Sequence, residues 1–250
     1  MADLYQCYQL VKDIVGSSVE PFDVVAAVDA YRQYWKPENV KVVLLAESHV
    51  YTTMVELTHQ LDVPDASLSL PDYPHDYVRF VYCLGYGEND VMSKPVPRNG
   101  GTPQYWKVFY SCLYPITSHT DFTPILKVTP FKDRIKNKVD LLHSLRERGV
   151  WLVDASIMAL YSQGIKPSPT QCKEIVERCW DNYIGATIRE AQPQHIICIG
   201  NGVRRTLESR LSALNEQQIH KTHQPQAHVP TPEHMASFQQ YYDICTQRAE

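Results

Sequence analysis

The chain has 250 residues, with 24 Lys+Arg against 28 Asp+Glu and a formal net charge of −4. Hydrophobic residues make up 44% and charged residues 21%, enough for one substantial core and consistent with one large domain. The longest apolar runs are far too short to span a bilayer, and the first residues lack the basic region and long apolar stretch of a secretory signal. No membrane association and a cytoplasmic location are therefore expected. The mildly acidic mean excludes coating of nucleic acid by bulk charge and leaves only local basic faces for such contact. Seven cysteines form no CxxC, which predicts reduced, mostly buried thiols and neither a zinc ribbon nor an iron–sulfur centre.

Phe22 to Trp35 carries Val25, Val28, Tyr31 and Trp35 at spacings of three and four, predicting an amphipathic helix. Val40 to Ala46 is too short for a helix and rich in β-branched residues, which predicts a buried strand. Residues 62–104 hold Pro64, Pro71, Pro74, Pro95, Pro97 and Pro103 among Tyr, Gly and Asp, predicting a long loop-rich insertion that elaborates one rim. Residues 136–148 put Val139, Leu142 and Leu145 on one face and stop at Gly149, a helix with its C-terminal glycine. Val150 to Val153 is a second strand. Ser168-Pro169 opens a long helix with Ser as N-cap. His195 to Ile199 is a third strand, turning at Gly200-Asn201-Gly202 into a helix with Val203, Leu207 and Leu211. His220 to His228 lacks a helical apolar pattern and is predicted as a loop after a short strand. Thr231-Pro232 starts the last helix. The alternation predicts an α/β fold: a three-layer α/β/α sandwich around a mainly parallel four-stranded sheet, one domain over 1–250.

Each buried strand ends in small and polar residues: Ala46-Glu47-Ser48-His49, Asp154-Ala155-Ser156 and Gly200-Asn201-Gly202. Ligands of open α/β sheets bind outside the carboxyl ends of the strands, so Glu47 and Asp154 are candidates to face one crevice. Capping of the following helices is the other use of such residues. His195, His220, His223, His228 and His234 crowd the C-terminal part, but the rigid ligand spacing of motifs such as HExxH is absent, and no metal is expected. A basic stretch, Lys127, Lys132, Arg134, Lys136 and Lys138, is opposed locally only by Asp133. Arg204 and Arg205 follow the third strand at a helix N-terminus, where backbone amides also favour anions. Both groups are either solvated faces or phosphate contacts.

Taken in order, these strand ends resemble the uracil-DNA glycosylase superfamily over most of residues 38–240. Lys41 to Tyr51 (KVVLLAESHVY) is similar to the family strand that runs into GQDPYH or GEAPG. Arg148 to Ala155 (RGVWLVDA) is similar to its GVLLLNA strand. Ile196 to Gly202 (IICIGNG) is similar to the penultimate strand, and His223 to Ala227 (HQPQA) stands at the HPSP loop. The resemblance implies a catalytic role for Glu47, which falls where GEAPG has its glutamate. Ser48 stands where GQDPYH has its water-directing aspartate, so hydrolysis shifts to Glu47 or to neighbouring His49. His223 takes the role of hydrogen-bonding the departing base, and Tyr82 that of the aromatic stacked on it. Independently of the resemblance, Lys132, Lys136, Arg204 and Arg205 are the candidate phosphate contacts.

Two departures point to the base. The family asparagine that reads uracil is Asp154, and an ionised carboxylate only accepts. It repels uracil O4 but accepts from the exocyclic amine of cytosine. The ring nitrogen of cytosine then needs a proton from the ring itself or from Asp154. Val50 replaces the tyrosine that blocks a substituent at pyrimidine C5 and opens that space. With no lysine at the strand ends, simple hydrolysis without a covalent step is expected, and no cofactor. The expectation is a monomeric DNA glycosylase for a flipped cytosine-like base, modified at C5, of use in repair or in defence against phages with modified DNA. Uracil repair, a catalytically silent module that binds flipped bases, and a metal-dependent hydrolase at the histidine loop are the alternatives.

Overall fold

Four short strands, Val42–Ala46 (β1), Val150–Asp154 (β2), His195–Ile199 (β3) and Gln218–Thr222 (β4), pair in the order β2-β1-β3-β4, every pair parallel. The computed structural model describes residues 3–16, 19–63, 68, 70–161, 167–214 and 217–247. Every residue of β1, β2 and β3 is buried, as strands covered on both faces require, and helices flank the sheet in a three-layer α/β arrangement. The expectation of a mainly parallel sheet sharpens to an all-parallel one. β4 is the half-exposed edge. It takes up His220, Lys221 and Thr222, which the sequence places in a loop: their register with Ile197, Cys198 and Ile199 supplies the ladder that local pattern does not show.

The helix Phe22–Tyr34 buries Val24, Val25, Val28 and Tyr31, and with them Asp29 and Arg32. Ser168 caps Pro169–Cys179 reciprocally: its hydroxyl accepts from Gln171 N at 3.2 Å while Gln171 Oε1 accepts from Ser168 N at 2.9 Å. That helix continues through a π-turn at Trp180–Ile184 into Gly185–Ala191. The helix expected from 136 begins at Phe131 and runs to Glu147, because its first turns are charged and hide the apolar period. The helices Leu4–Val15 and Pro103–Ser111 complete the packing. Among the described residues no helix is long and apolar enough to cross a membrane, and all cysteines but Cys172 are buried, without disulfides.

The insertion at 62–104 has little regular structure, as expected, but it is not a peripheral rim. Tyr73, Tyr77, Val78, Phe80, Tyr82 and Cys83 are buried in the same core as the sheet; residues 64–67 and 69 lie outside the described residues. Buried irregular backbone needs hydrogen-bond partners, and side chains provide them. The Tyr73 hydroxyl donates to Tyr82 O at 2.6 Å and accepts from Leu84 N at 2.9 Å. Asn99 accepts from Gly87 N and from the Tyr77 hydroxyl, and donates to Gly85 O.

Gly149 fixes the entry of two strands. Its φ is +79°, and its carbonyl accepts from Lys41 N and Val42 N at 2.8 and 3.0 Å. A Cβ there would stand 2.6 Å from Asn39 O. Gly149→Ala should therefore cost about 1–2 kcal/mol or more, from the left-handed backbone alone, read as a lowered thermal unfolding midpoint. An unchanged midpoint would refute the close approach.

Candidate functional site

Parallel pairing brings the strand ends level: Ala46 stands opposite Asp154 and Ile199 opposite Thr222. Pairing runs on past the strands, with Ala155 N donating to Ala46 O at 2.8 Å, Ser156 N to Glu47 O at 3.0 Å and Gly200 N to Thr222 O at 3.0 Å. All four chemically marked segments thus leave the sheet along one edge.

Behind that edge runs a buried chain of charges of alternating sign. Arg32 donates from Nη1 to Asp29 Oδ1 at 2.6 Å and from Nη2 to Asp154 Oδ2 at 3.2 Å. His49 Nδ1 lies 3.7 Å from the same Asp154 oxygen, and His49 Nε2 donates to Glu20 Oε2 at 2.6 Å. Glu20 also accepts from Thr52 N at 2.9 Å and from Ala159 N at 3.0 Å, clasping the segments that leave β1 and β2. Burial alone would push the His49 imidazole down, but the carboxylates of Glu20 and Asp154 outweigh it and raise it to about 9. Burial likewise opposes the Arg32 charge, and Asp29 and Asp154 raise it on balance.

Ser48, His49, Val50 and Asp154 line one narrow slot with Phe80 and Tyr105. The slot holds about 30 Å³, room for water and too little for an aromatic ring. Its wall comes from the insertion (Arg79, Phe80, Val81 and Tyr86), while the floor is the strand ends. Val50, 44% exposed, stands at the rim. Ser48 Oγ accepts from Leu160 N at 3.3 Å.

Glu47 faces the other way, into an open cleft of about 520 Å³ with Tyr161, Lys173, Gly202 and Arg205. The Tyr161 hydroxyl donates to Glu47 Oε2 at 3.2 Å, and burial with the Glu47 charge raises this tyrosine to about 12. Arg204, Arg205 and Lys221 line an adjoining cleft. Slot and cleft are neighbours: burial first, then the charges of Asp154 and Glu47, raise the Tyr105 hydroxyl.

Three sequence expectations are corrected here. Tyr82 is not a wall of the slot. Its ring stacks on Phe109 with centroids 5.5 Å apart, and its hydroxyl accepts from Leu152 N at 2.8 Å, which makes it core; Phe80 takes the wall position. His223 borders neither slot nor cleft, and its Nε2 lies 3.4 Å from Glu233 Oε2. The basic stretch is not one face. Arg134 and Lys138 turn inward onto Glu88, Lys136 pairs with Asp140 at 2.5 Å, and Lys132 is exposed. The histidines have local partners: His195 Nδ1 and His220 Nε2 are 3.1 Å apart, and His234 Nε2 donates to Ala227 O at 2.9 Å. Among the described residues no group of three His, Cys, Asp or Glu is arranged to hold a metal ion.

Sequence reasoning missed Glu20, Arg32, Phe80 and Tyr105. Arg32 had a signal, a charge four residues from Val28 and three from Trp35 on the apolar stripe of its helix. Glu20 had none. Comparison with protein-family models, curated proteins and solved structures returns no match.

His49 ordinarily titrates at 6.5 and in the fold at about 9. A raised value means its stabilisation is complete below about pH 6.5 and lost as pH rises through about 9. Thermal unfolding measured from pH 6 to pH 10 should show that decline, and Glu20→Gln should flatten it. A wild-type midpoint level across the window would contradict the charged histidine.

Proposed function

We propose that the protein is a DNA glycosylase that hydrolyses the N-glycosidic bond of a flipped cytosine-like base, modified at C5, and leaves an abasic site. The observation that carries this reading is Asp154 on the floor of the slot, its Oδ2 3.2 Å from Arg32 Nη2. A paired carboxylate accepts but does not donate, the match for an exocyclic amine. The resemblance of the strand ends to the uracil-DNA glycosylase superfamily supports the reaction class.

Excision requires the base out of the stack and a carboxylate near C1′ to stabilise oxocarbenium-like charge and orient water. Glu47, next to the slot and open to solvent, suits that task. Arg205 and Lys173 beside it, with Arg204 and Lys221 in the adjoining cleft, suit the flanking phosphates. Lys132 and Lys136 drop out of this set, and no role in it falls to Tyr82 or His223. The ring enters when the wall around Phe80 and Tyr86 moves away from His49 and Val50. The reading needs no cofactor and no partner beyond DNA, and a cytoplasmic monomer suffices. A silent module that binds flipped bases is the second reading. It is favoured by Glu47 lying outside the slot and by Ser48 being engaged with backbone.

Single-turnover incubation with oligonucleotides bearing uracil, cytosine, 5-hydroxymethylcytosine or a glucosylated derivative, followed by cleavage at abasic sites, separates these. Abasic sites are expected at a cytosine-type base. Sites only at uracil overturn the base assignment, and binding without sites on any substrate favours the silent module. Glu47→Gln should slow excision by about 10²-fold or more with binding retained. Asp154→Asn should move preference toward uracil.

A further inference from the structure

We infer that His49 Nδ1–H and Asp154 Oδ1 together read two adjacent edge atoms of the base, a ring-nitrogen acceptor and the exocyclic amine beside it, and that Glu20 keeps His49 in the state this requires. The inference rests on the base-excision reading above and deepens it. It makes His49 a specificity-determining residue rather than a participant in hydrolysis.

The geometry supplies both halves. The two contacts of Asp154 with Arg32 and His49 go to Oδ2, so Oδ1 remains to accept from an amine at the slot. His49 Nδ1 is buried and, with Asp154 Oδ2 at 3.7 Å, has no partner within hydrogen-bond distance among the described residues, and His49 lines the slot with Asp154. Glu20 settles the tautomer. Its carboxylate, already accepting from Thr52 N and Ala159 N, can only accept at His49 Nε2, so that nitrogen carries a proton. With Nε2–H fixed, Nδ1 donates only when the ring is charged and becomes an acceptor when it is neutral. The charged groups around the imidazole are Glu20 before the helix Phe22–Tyr34 and Asp154 on β2; behind Asp154 lies Arg32, itself paired with Asp29 at 2.6 Å, so three carboxylates stand against one guanidinium and favour an imidazolium.

Cytosine offers an amine with a ring acceptor beside it, so it meets one acceptor and one donor. The proton its ring nitrogen needs then comes from His49 and not from Asp154. Uracil presents a carbonyl to the carboxylate and an N–H to the donor, and both contacts repel. Adenine shares the amine-and-acceptor pattern, but the narrow slot favours one ring over two.

The test is binding by the wild-type protein to single-stranded oligonucleotides of A, G and T with one 2′-fluoroarabino residue, since the fluorine disfavours oxocarbenium formation. That residue carries cytosine, 3-deazacytosine or uracil, each with and without a 5-hydroxymethyl group. 3-Deazacytosine keeps the amine and loses the ring acceptor. Cytosine should bind about tenfold or more tighter than 3-deazacytosine at pH 7, and the ratio should collapse as pH passes about 9. Glu20→Gln, whose amide can accept from or donate to His49 Nε2, should remove the fall of the ratio near pH 9 while cytosine stays preferred over uracil. If that variant does not fold, the wild-type pH profile decides. Equal binding of cytosine and 3-deazacytosine, both above uracil, overturns the role of His49 and leaves the Asp154 reading standing. Uracil binding as tightly as cytosine in both forms, or no binding in either, overturns the base-excision reading itself.

Discussion

Five buried ionisable side chains, Asp29, Arg32, Asp154, His49 and Glu20, hold one another in a chain of alternating sign. Burying any one of them alone is prohibitive, and removing one partner of a buried pair typically costs about 3–5 kcal/mol because the other is left uncompensated. The chain therefore acts as a positional constraint. It seats the helix Phe22–Tyr34 against β2, helped by Trp151 Nε1 donating to Arg32 O at 2.9 Å. Through Glu20 it ties down the backbone leaving both β1 and β2. The placement of the strand-end residues of β1 and β2 follows from it.

The slot is made from two materials. Its floor is sheet, with register set by the parallel ladder and by the charge chain. Its wall is irregular backbone whose polar groups are satisfied by Tyr73, Tyr77 and Asn99 instead of by neighbouring strands. Arg79, bonded to Glu56 from both Nε and Nη2, anchors the outer end of that wall. A segment that reads as a solvent-side elaboration thus contributes core and half of the site.

Elements whose cause is local were legible. The apolar runs of β1 to β3, the Ser168 cap and the glycine after Glu147-Arg148 are all written within a few residues. The same holds for the gathering of Ser48, His49, Val50 and Asp154, because strand ends in a parallel sheet share an edge. What failed depended on distance or direction. Glu20 meets His49 across 29 residues of chain, and nothing near it announces that contact. In the basic stretch, Arg134 and Lys138 are one helical turn apart and share a face, so their inward turn onto Glu88 follows from a partner 46 residues upstream of Arg134. Tyr82 and Phe80 sit in a segment with no period, so only the fold decides which ring turns to the slot.

The clasp at Glu20 has a dynamic corollary. The exits of β1 and β2 are bonded to one buried carboxylate, and the wall shares that frame, since Val50 N donates to Arg79 O at 3.1 Å and Arg79 N to Thr52 Oγ1 at 2.8 Å. Glu20, Thr52 and Arg79 thus form a relay from the charge chain to the residue before Phe80. The wall cannot shift at Arg79 without pulling on backbone that Glu20 holds, so the width of the slot and the placing of donors and acceptors on its floor are coupled and change together.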